Sequence, residues 1–265
     1  HSGVGSSPLL SVIRNGLLLL LVLLCDRPVL AHQVVHVGAY NFPPYVVQAE
    51  SARPQGVVVA LLVALNRLQA DYRFVMVPTS VTRRYQDLAS KRIDLIFFES
   101  PEWGWKNTAH EVLGLGGTDA EVYVARNLPG RDQHYFDDFD GKRLALYSGY
   151  HYGFADFNSD RDYLRQHFKA EFSYSHDSNL LKVLHDRADI TVVAESFLQL
   201  FLDKNPGSAQ QLLVSTRKDQ VYHHQVLLRP ESPVSAKELG RLLERLRASG
   251  ELKVLLQRYH LHASH

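Results

Sequence analysis

The chain has 265 residues, 45% of them hydrophobic and 22% charged, with a formal net charge of +1 at pH 7. That balance excludes a mostly disordered chain. It also removes any strong electrostatic pull of the whole chain toward nucleic acid or an acidic membrane surface.

Arg14 precedes the unbroken apolar run Leu17 to Leu24, and Pro28-Val29-Leu30-Ala31 follows. A basic start, a short apolar core and small residues before a cleavage point describe a secretory signal peptide. Val29 and Ala31 place cleavage after Ala31, so residues 1–31 are expected to be removed and the mature chain to start at His32. The apolar run is too short for a bilayer, which takes roughly 20 residues. Cys25, the single cysteine, stands where a lipid-bearing cysteine would, although bulky Leu24 before it disfavours that alternative. The remainder then has no disulfide and no thiol chemistry, and its stability must come from burying a core.

Strand-like and helix-like patterns alternate from here on, which predicts an α/β architecture with mostly parallel sheet. Val34 to Gly38 reads as a first strand, and Tyr40 to Tyr45 as a loop, because consecutive prolines stop both ladders and helices. Apolar residues at helical spacing from Val57 to Leu68 predict a helix running to about Ala70. Tyr72 to Val77 is a strand. Ser80 can cap a helix reaching about Arg92, with Tyr85 and Leu88 inward. Ile93 to Phe98 is a buried strand. Glu99 to Thr118 lacks clear periodicity and holds both tryptophans, and Glu121 to Arg126 is strand-like again.

A second unit follows: a strand at Arg143 to Tyr147, then Ser148-Gly149, then a helix from about Tyr150. Phe172 to Tyr174 is a short strand. Asp177 or Ser178 can cap a helix ending near Arg187. Asp189 to Val193 is a strand, and Glu195 to Asp203 a helix. Val221 to Leu228 is a strand returning to the first unit. Ser235-Ala236-Lys237-Glu238 is a capping box ahead of a leucine face at 239, 242, 243 and 246. Ser249-Gly250 breaks that helix, and Leu252 to Tyr259 is the last one.

The pieces in this order resemble the bacterial extracellular solute-binding proteins of family 3, the polar amino-acid type with the type II periplasmic binding fold. The resemblance covers roughly residues 34 to 260. It is carried by Val37-Gly38 before Phe42-Pro43-Pro44-Tyr45, by Gly56 before an apolar helix, and by Gln86 to Leu95. Phe139-Asp140-Gly141-Lys142-Arg143 before a strand ending at Gly149, Leu184 to Asp189, and Ala248 to Leu252 with Arg258-Tyr259 also match. It implies two Rossmann-like lobes joined by two hinge strands. Residues 32–120 with 222–262 would form one lobe, and 121–221 the other. It also implies a monomer that closes around a small polar solute, amino-acid-like or another anionic or aromatic metabolite. The partner would be an ABC transporter permease or a membrane sensor.

Ligands of such sheets bind beyond the carboxyl ends of strands, which singles out four places. Tyr40 and Phe42 follow the first strand and could wall the ligand. Glu99, Trp103, Trp105 and Lys106 follow the third. In relatives that segment supplies an arginine for the ligand carboxylate, and Lys106 falls at its position; the tryptophans could stack on a ring or a cation. Gly149, Tyr150 and His151 follow the strand at Tyr147, where a helix start would offer N–H groups to an anion. Glu195 lies one position beyond the acid that holds the ligand ammonium in relatives, a departure that puts a plain α-amino acid in doubt. His223 and His224 are adjacent on a strand, so their rings point to opposite faces. Without HExxH, GxSxG or a phosphate-binding glycine loop, no metal, cofactor or catalytic residue is assigned. The enzymatic alternative is a periplasmic dehydratase of the cyclohexadienyl type, with Glu99, Glu102 or Glu195 as its acid. A sensory module with a filled, ligand-free cleft is the third reading.

Overall fold

The computed structural model describes Gly3 and residues 32–262, and every described element belongs to the unit Gln33–His265. The predicted signal peptide, with Arg14, Leu17 to Leu24 and Cys25, lies outside the described residues except at Gly3.

A single eight-stranded sheet runs in the order β2-β1-β3-β8-β4-β7-β5-β6. Its first end holds β1 (Gln33–Ala39), β2 (Tyr72–Pro78) and β3 (Leu95–Glu99), with β1 parallel to both neighbours. Its far end holds β5 (Arg143–Tyr147), β6 (Lys169–Ser173) and β7 (Ile190–Ala194), again parallel around β5. Two long strands join these ends, β4 (Glu111–Arg126) and β8 (Leu212–Leu228). They pair antiparallel to each other, β8 with β3 and β4 with β7.

Both joining strands are longer than their apolar patterns predict. The added stretches are Glu111 to Ala120 and Leu212 to Gln220, whose largely polar or glycine-rich middles hide them as strand. They are strand where β4 and β8 satisfy each other's backbone groups, as from Glu111 to Gly114 and from Thr118 to Val122. The register breaks between Gly114 and Thr118, where Gly116 and Gly117 have φ of 67° and 120°.

Around the first end pack α1 (Val57–Leu68), α2 (Arg84–Ala89), α6 (Ala236–Ala248) and α7 (Glu251–Gln257); around the far end, α3 (Arg161–His167), α4 (His176–Leu184) and α5 (Glu195–Lys204). In α6 the leucines at 239, 242, 243 and 246 are buried, each worth about 1.5–3 kcal/mol. Ser235 caps this helix by accepting from the Glu238 N–H at 3.0 Å. The hydrophobic core is one large cluster at the first end, and two clusters on opposite faces of the sheet at the far end.

Three local expectations need correction. The helix predicted from Ser80 to Arg92 is only Arg84–Ala89. Ser80 Oγ accepts from Arg83 N at 3.0 Å, which holds a turn, and Lys91 at φ 66° ends the helix early. No helix begins at Tyr150: a short 3₁₀ turn at Gly153–Ala155 stands there, and α3 starts only at Arg161. The cap of α4 is Ser175, whose side chain accepts from Ser178 N, not Asp177 or Ser178.

Candidate functional site

The carboxyl ends of β1, β3 and β5 bring three loops together where the two ends of the sheet meet, with β4 and β8 as the floor. Tyr40, Phe42, Arg84 and Trp103 come from the first end, Tyr150, His151 and Tyr152 from the far end, and Glu121 and Gln220 from the joining strands. The space left among them is about 20 Å³, room for little more than one water molecule.

Direct contacts close this cleft. Tyr150 Oη donates to the Asn41 carbonyl at 2.9 Å. Gln220 stitches both sides: its Nε2 donates to the His151 carbonyl at 2.8 Å, and its Oε1 accepts from Trp103 Nε1 at 2.9 Å. Gly149 has φ +87°, and a Cβ there would lie 2.9 Å from Val81 Cγ1, so only glycine allows this approach of one side to the other. Phe42 packs edge-on to Trp103 at 5.5 Å and to Tyr150 at 5.9 Å between ring centroids.

Two charged groups stand in the first wall. Arg84 and Glu99 are both fully removed from water, with Nε 2.9 Å from Oε1. Arg84 Nη1 also donates to the Val81 carbonyl at 2.8 Å, and the guanidinium lies 4.5 Å over the Tyr40 ring. Burial opposes the Arg84 charge, but Glu99 and the neighbouring tyrosines hold its pKa above the ordinary arginine value. Burial pushes the Glu99 carboxyl up, with Arg84 pulling against it.

Glu121, at the floor, is buried at 4% exposure. Among the described residues no cation lies within ion-pair distance, and Tyr222 Oη donates to it at a long 3.4 Å. Burial, then the nearby Asp119 and Asp219 carboxylates, push its pKa well above the usual carboxylate range. His151 is lowered to about 4 by burial and by Arg84, so it is neutral at pH 7.

Behind the floor, Tyr45 Oη donates to Asp119 Oδ2 at 2.6 Å and lies 2.7 Å from His224 Nε2, and Ser196 Oγ donates to the same Asp119 oxygen at 2.5 Å. Burial lowers His224 to about 4. His224 is buried and His223 exposed, as strand alternation requires. Among the described residues no group of three or more His, Cys, Asp or Glu is placed to hold a metal ion.

Tyr40, Phe42, Trp103, Tyr150 and His151 thus share the cleft, Glu99 lies just behind it on Arg84, and Gly149 sits at its rim. Three candidates fall elsewhere. Trp105 is fully buried against Tyr85, with centroids 4.6 Å apart, and packs the wall from behind. Lys106 is exposed on a 3₁₀ turn, because Gly104 turns the chain away after Trp103. Glu195 is 42% exposed and paired with Lys218. In place of the expected helix start stands the 3₁₀ turn, and the N–H groups at its head are taken. Asp219 accepts from Gly153 N at 2.7 Å and from Phe154 N at 2.8 Å, as well as from Tyr123 Oη at 2.6 Å.

Sequence reasoning missed Arg84, Glu121, Tyr152 and Gln220. For Arg84 one signal was available: it shares a helix face with Leu88, four positions on. For Glu121 it was an acid at the head of the apolar run Val122 to Ala125.

Among the described residues no helix is long and apolar enough to cross a membrane. No curated protein matches the chain in sequence. In fold it is similar to an ABC uptake transporter substrate-binding protein from Streptococcus pneumoniae with bound histidine (TM-score 0.67, 18% identity, 85% of this chain and 92% of that one). It is similar as well to a mutant of ArgBP from T. maritima (0.65, 20%, 86% and 95%). A histidine kinase sensor domain with similarity to periplasmic binding proteins is a third (0.63, 15%, 88% and 98%). These bear out the two-ended α/β fold read from the sequence. In sequence, residues 45–263 match the family described as ABC transporter, phosphonate, periplasmic substrate-binding protein. With most of its length accounted for by that match, the chain belongs to this family of ABC transporter periplasmic substrate-binding proteins.

Proposed function

We propose that residues 32–120 with 222–262, and residues 121–221, move as two lobes, and that the solute binds in the cleft between them. The observation that carries this reading is the convergence of Tyr40, Phe42, Trp103, Tyr150 and His151 from both sides onto Glu121 and Gln220 of the joining strands. A solute seated between the halves gains contacts from both at once only when they are together, so it shifts the population toward the closed form. The register break at Gly114 to Thr118 is a natural place to flex. The protein would be exported by the segment 1–31, act as a monomer in the periplasm, and present its closed form to an ABC permease or a membrane sensor.

An enzymatic role is disfavoured by the fate of its candidate acids. Glu99 is spent on Arg84, Glu195 is paired with Lys218, and Glu102 is exposed. A direct assay for loss of prephenate or arogenate is expected to show no turnover.

Binding is tested by thermal unfolding of the chain from His32 onward against polar amino acids, phosphonates and small amines. A solute at 100 times its dissociation constant should add about 2.7 kcal/mol. No shift across the panel, with native mass spectrometry finding no solute carried through purification, defeats this reading.

A second reading, a sensory module that needs no solute, is favoured by the narrowness of the cleft. Phe42, Trp103 and Tyr150 interlock and leave about 20 Å³. It predicts the opposite result on the same panel.

A further inference from the structure

We infer that the cleft is built for an organic cation, an amine or alkylated ammonium, with Glu121 as its counter-charge and the aromatic walls as its enclosure. The inference rests on the cleft being the binding site, and it names the class of solute.

The polar inventory of the cleft decides the sign of the ligand. Arg84 is the one permanent cation among the lining residues, and its charge is balanced by Glu99 at 2.9 Å. Its Nη1 is committed to Val81, and its Nη2 faces the Trp103 carbonyl at 3.5 Å. His151 is neutral at pH 7. The backbone N–H groups of Gly153 and Phe154 already serve Asp219. An incoming anion would find no unbalanced cationic side chain there, whereas Glu121 is a buried acid with no cation beside it among the described residues. Leaving such a group unpaired is costly, and supplying its partner from the ligand recovers that cost on binding.

The walls suit the same sign. Tyr40, Phe42, Trp103 and Tyr150 are aromatic, and the negative face of a ring attracts a cation within about 6 Å. One wall already holds a cation in this way, the Arg84 guanidinium 4.5 Å above Tyr40. A phosphonate or carboxylate without an amine gains nothing from these faces and is repelled by Glu121 once that group ionises.

Binding should also move a proton. The groups facing Glu121 are Asp119 on its own strand, Asp219 and Tyr222 on β8, and Tyr45, Tyr150 and Tyr152 from the loops. Arg84 and His151 complete the ionisable lining. Asp119 and Asp219 add to the burial that holds the Glu121 proton on, and a cation placed beside Glu121 releases it to solvent.

The experiment titrates three probes into the chain from His32 onward by calorimetry: tetramethylammonium chloride, 2-aminoethylphosphonate and methylphosphonate. The expected result is binding of the first two and not the third. In Glu121→Gln, confirmed as folded by its thermal transition, affinity for the two cationic probes should fall by about 30-fold or more. Wild-type titrations of tetramethylammonium at pH 7, in two buffers of different ionisation enthalpy, should report net release of protons. That measurement needs no variant. Methylphosphonate binding as tightly as 2-aminoethylphosphonate, with Glu121→Gln indifferent, would overturn the cation inference and leave the cleft as a binding site. Binding of none of the three would overturn the cation inference; if the wider solute panel is silent too, the reading of the cleft as a binding site falls with it.

Discussion

Glu99 and Glu121 are two acids withdrawn from water at the same junction, and they are treated in opposite ways. Glu99, at the end of β3, has an arginine against it, and that arginine is in turn held by a carbonyl and a tyrosine face. Glu121, on the joining strand, has two like charges near it and one long hydrogen bond. The first acid has its charge balanced within the chain, by an ion pair and not by aligned hydrogen bonds. The second has no such counter-charge among the described residues, and under the cation inference a guest supplies it.

The widest gap between the two acids should appear when the ion pair is broken. Arg84→Met strands the Glu99 charge in the core and is expected to cost about 3–5 kcal/mol in urea unfolding. Arg84→Met combined with Glu99→Leu should recover most of that loss, because a buried pair replaced by apolar residues of similar volume is close to neutral. An Arg84→Met loss below about 1 kcal/mol would mean the pair is wetter than its burial implies, and the contrast with Glu121 would fail.

Removing the acid without a counter-charge should act in the other direction. Glu121 binds its proton more tightly folded than unfolded, so its contribution is fully present below the ordinary carboxyl value of about 4.5 and is lost as pH rises toward the raised folded value. Glu121→Gln cancels that loss. In the absence of solute the variant should be more stable than the wild type by about 1–3 kcal/mol at pH 7, with the difference shrinking toward pH 4.5. Asp219 is raised by burial with the same sign, so the difference between the two proteins, not either curve alone, isolates Glu121. A variant less stable than wild type at pH 7 would show that Glu121 is a satisfied group.

How far these features were legible before the fold was known follows from the range of the forces involved. α1, β1 and the Ser235 cap of α6 depend on neighbours within a turn or a strand, and they stand where the pattern put them. The extended parts of β4 and β8 depend on pairing with each other, and their polar composition hid them. In the cleft, Tyr40, Phe42, Trp103, Tyr150 and His151 were reachable from a general rule, because loops after parallel strands converge at one edge. Lys106 failed that rule because counting along a chain cannot see the turn at Gly104. Arg84 and Glu121 were invisible for a deeper reason. A charge is buried or exposed according to its partners, and the Tyr222 that approaches Glu121 is 101 positions away.

The smallest expected effect probes how far the second acid lacks a partner. Tyr222→Phe removes the hydroxyl that reaches Glu121 at 3.4 Å and also faces the Tyr45 hydroxyl, which keeps its bonds to Asp119 and His224. It leaves the ring, which packs against Trp103 with centroids 4.9 Å apart. A typical hydrogen bond is worth a net 0.5–1.5 kcal/mol, and one this long belongs at or below the lower end. The unfolding free energy should therefore change by no more than about 0.5 kcal/mol. The same hydroxyl favours the charged form of Glu121, so its loss should push the Glu121 carboxyl further up, visible as a later ionisation of its side-chain carbon signal in an NMR pH titration. If Tyr222→Phe instead costs as much as breaking a short buried bond, about 1.5 kcal/mol or more, Glu121 already has its partner within the chain. The difference between the two acids would then be one of chemistry, a charged partner against a neutral one, and not of having a partner or lacking one.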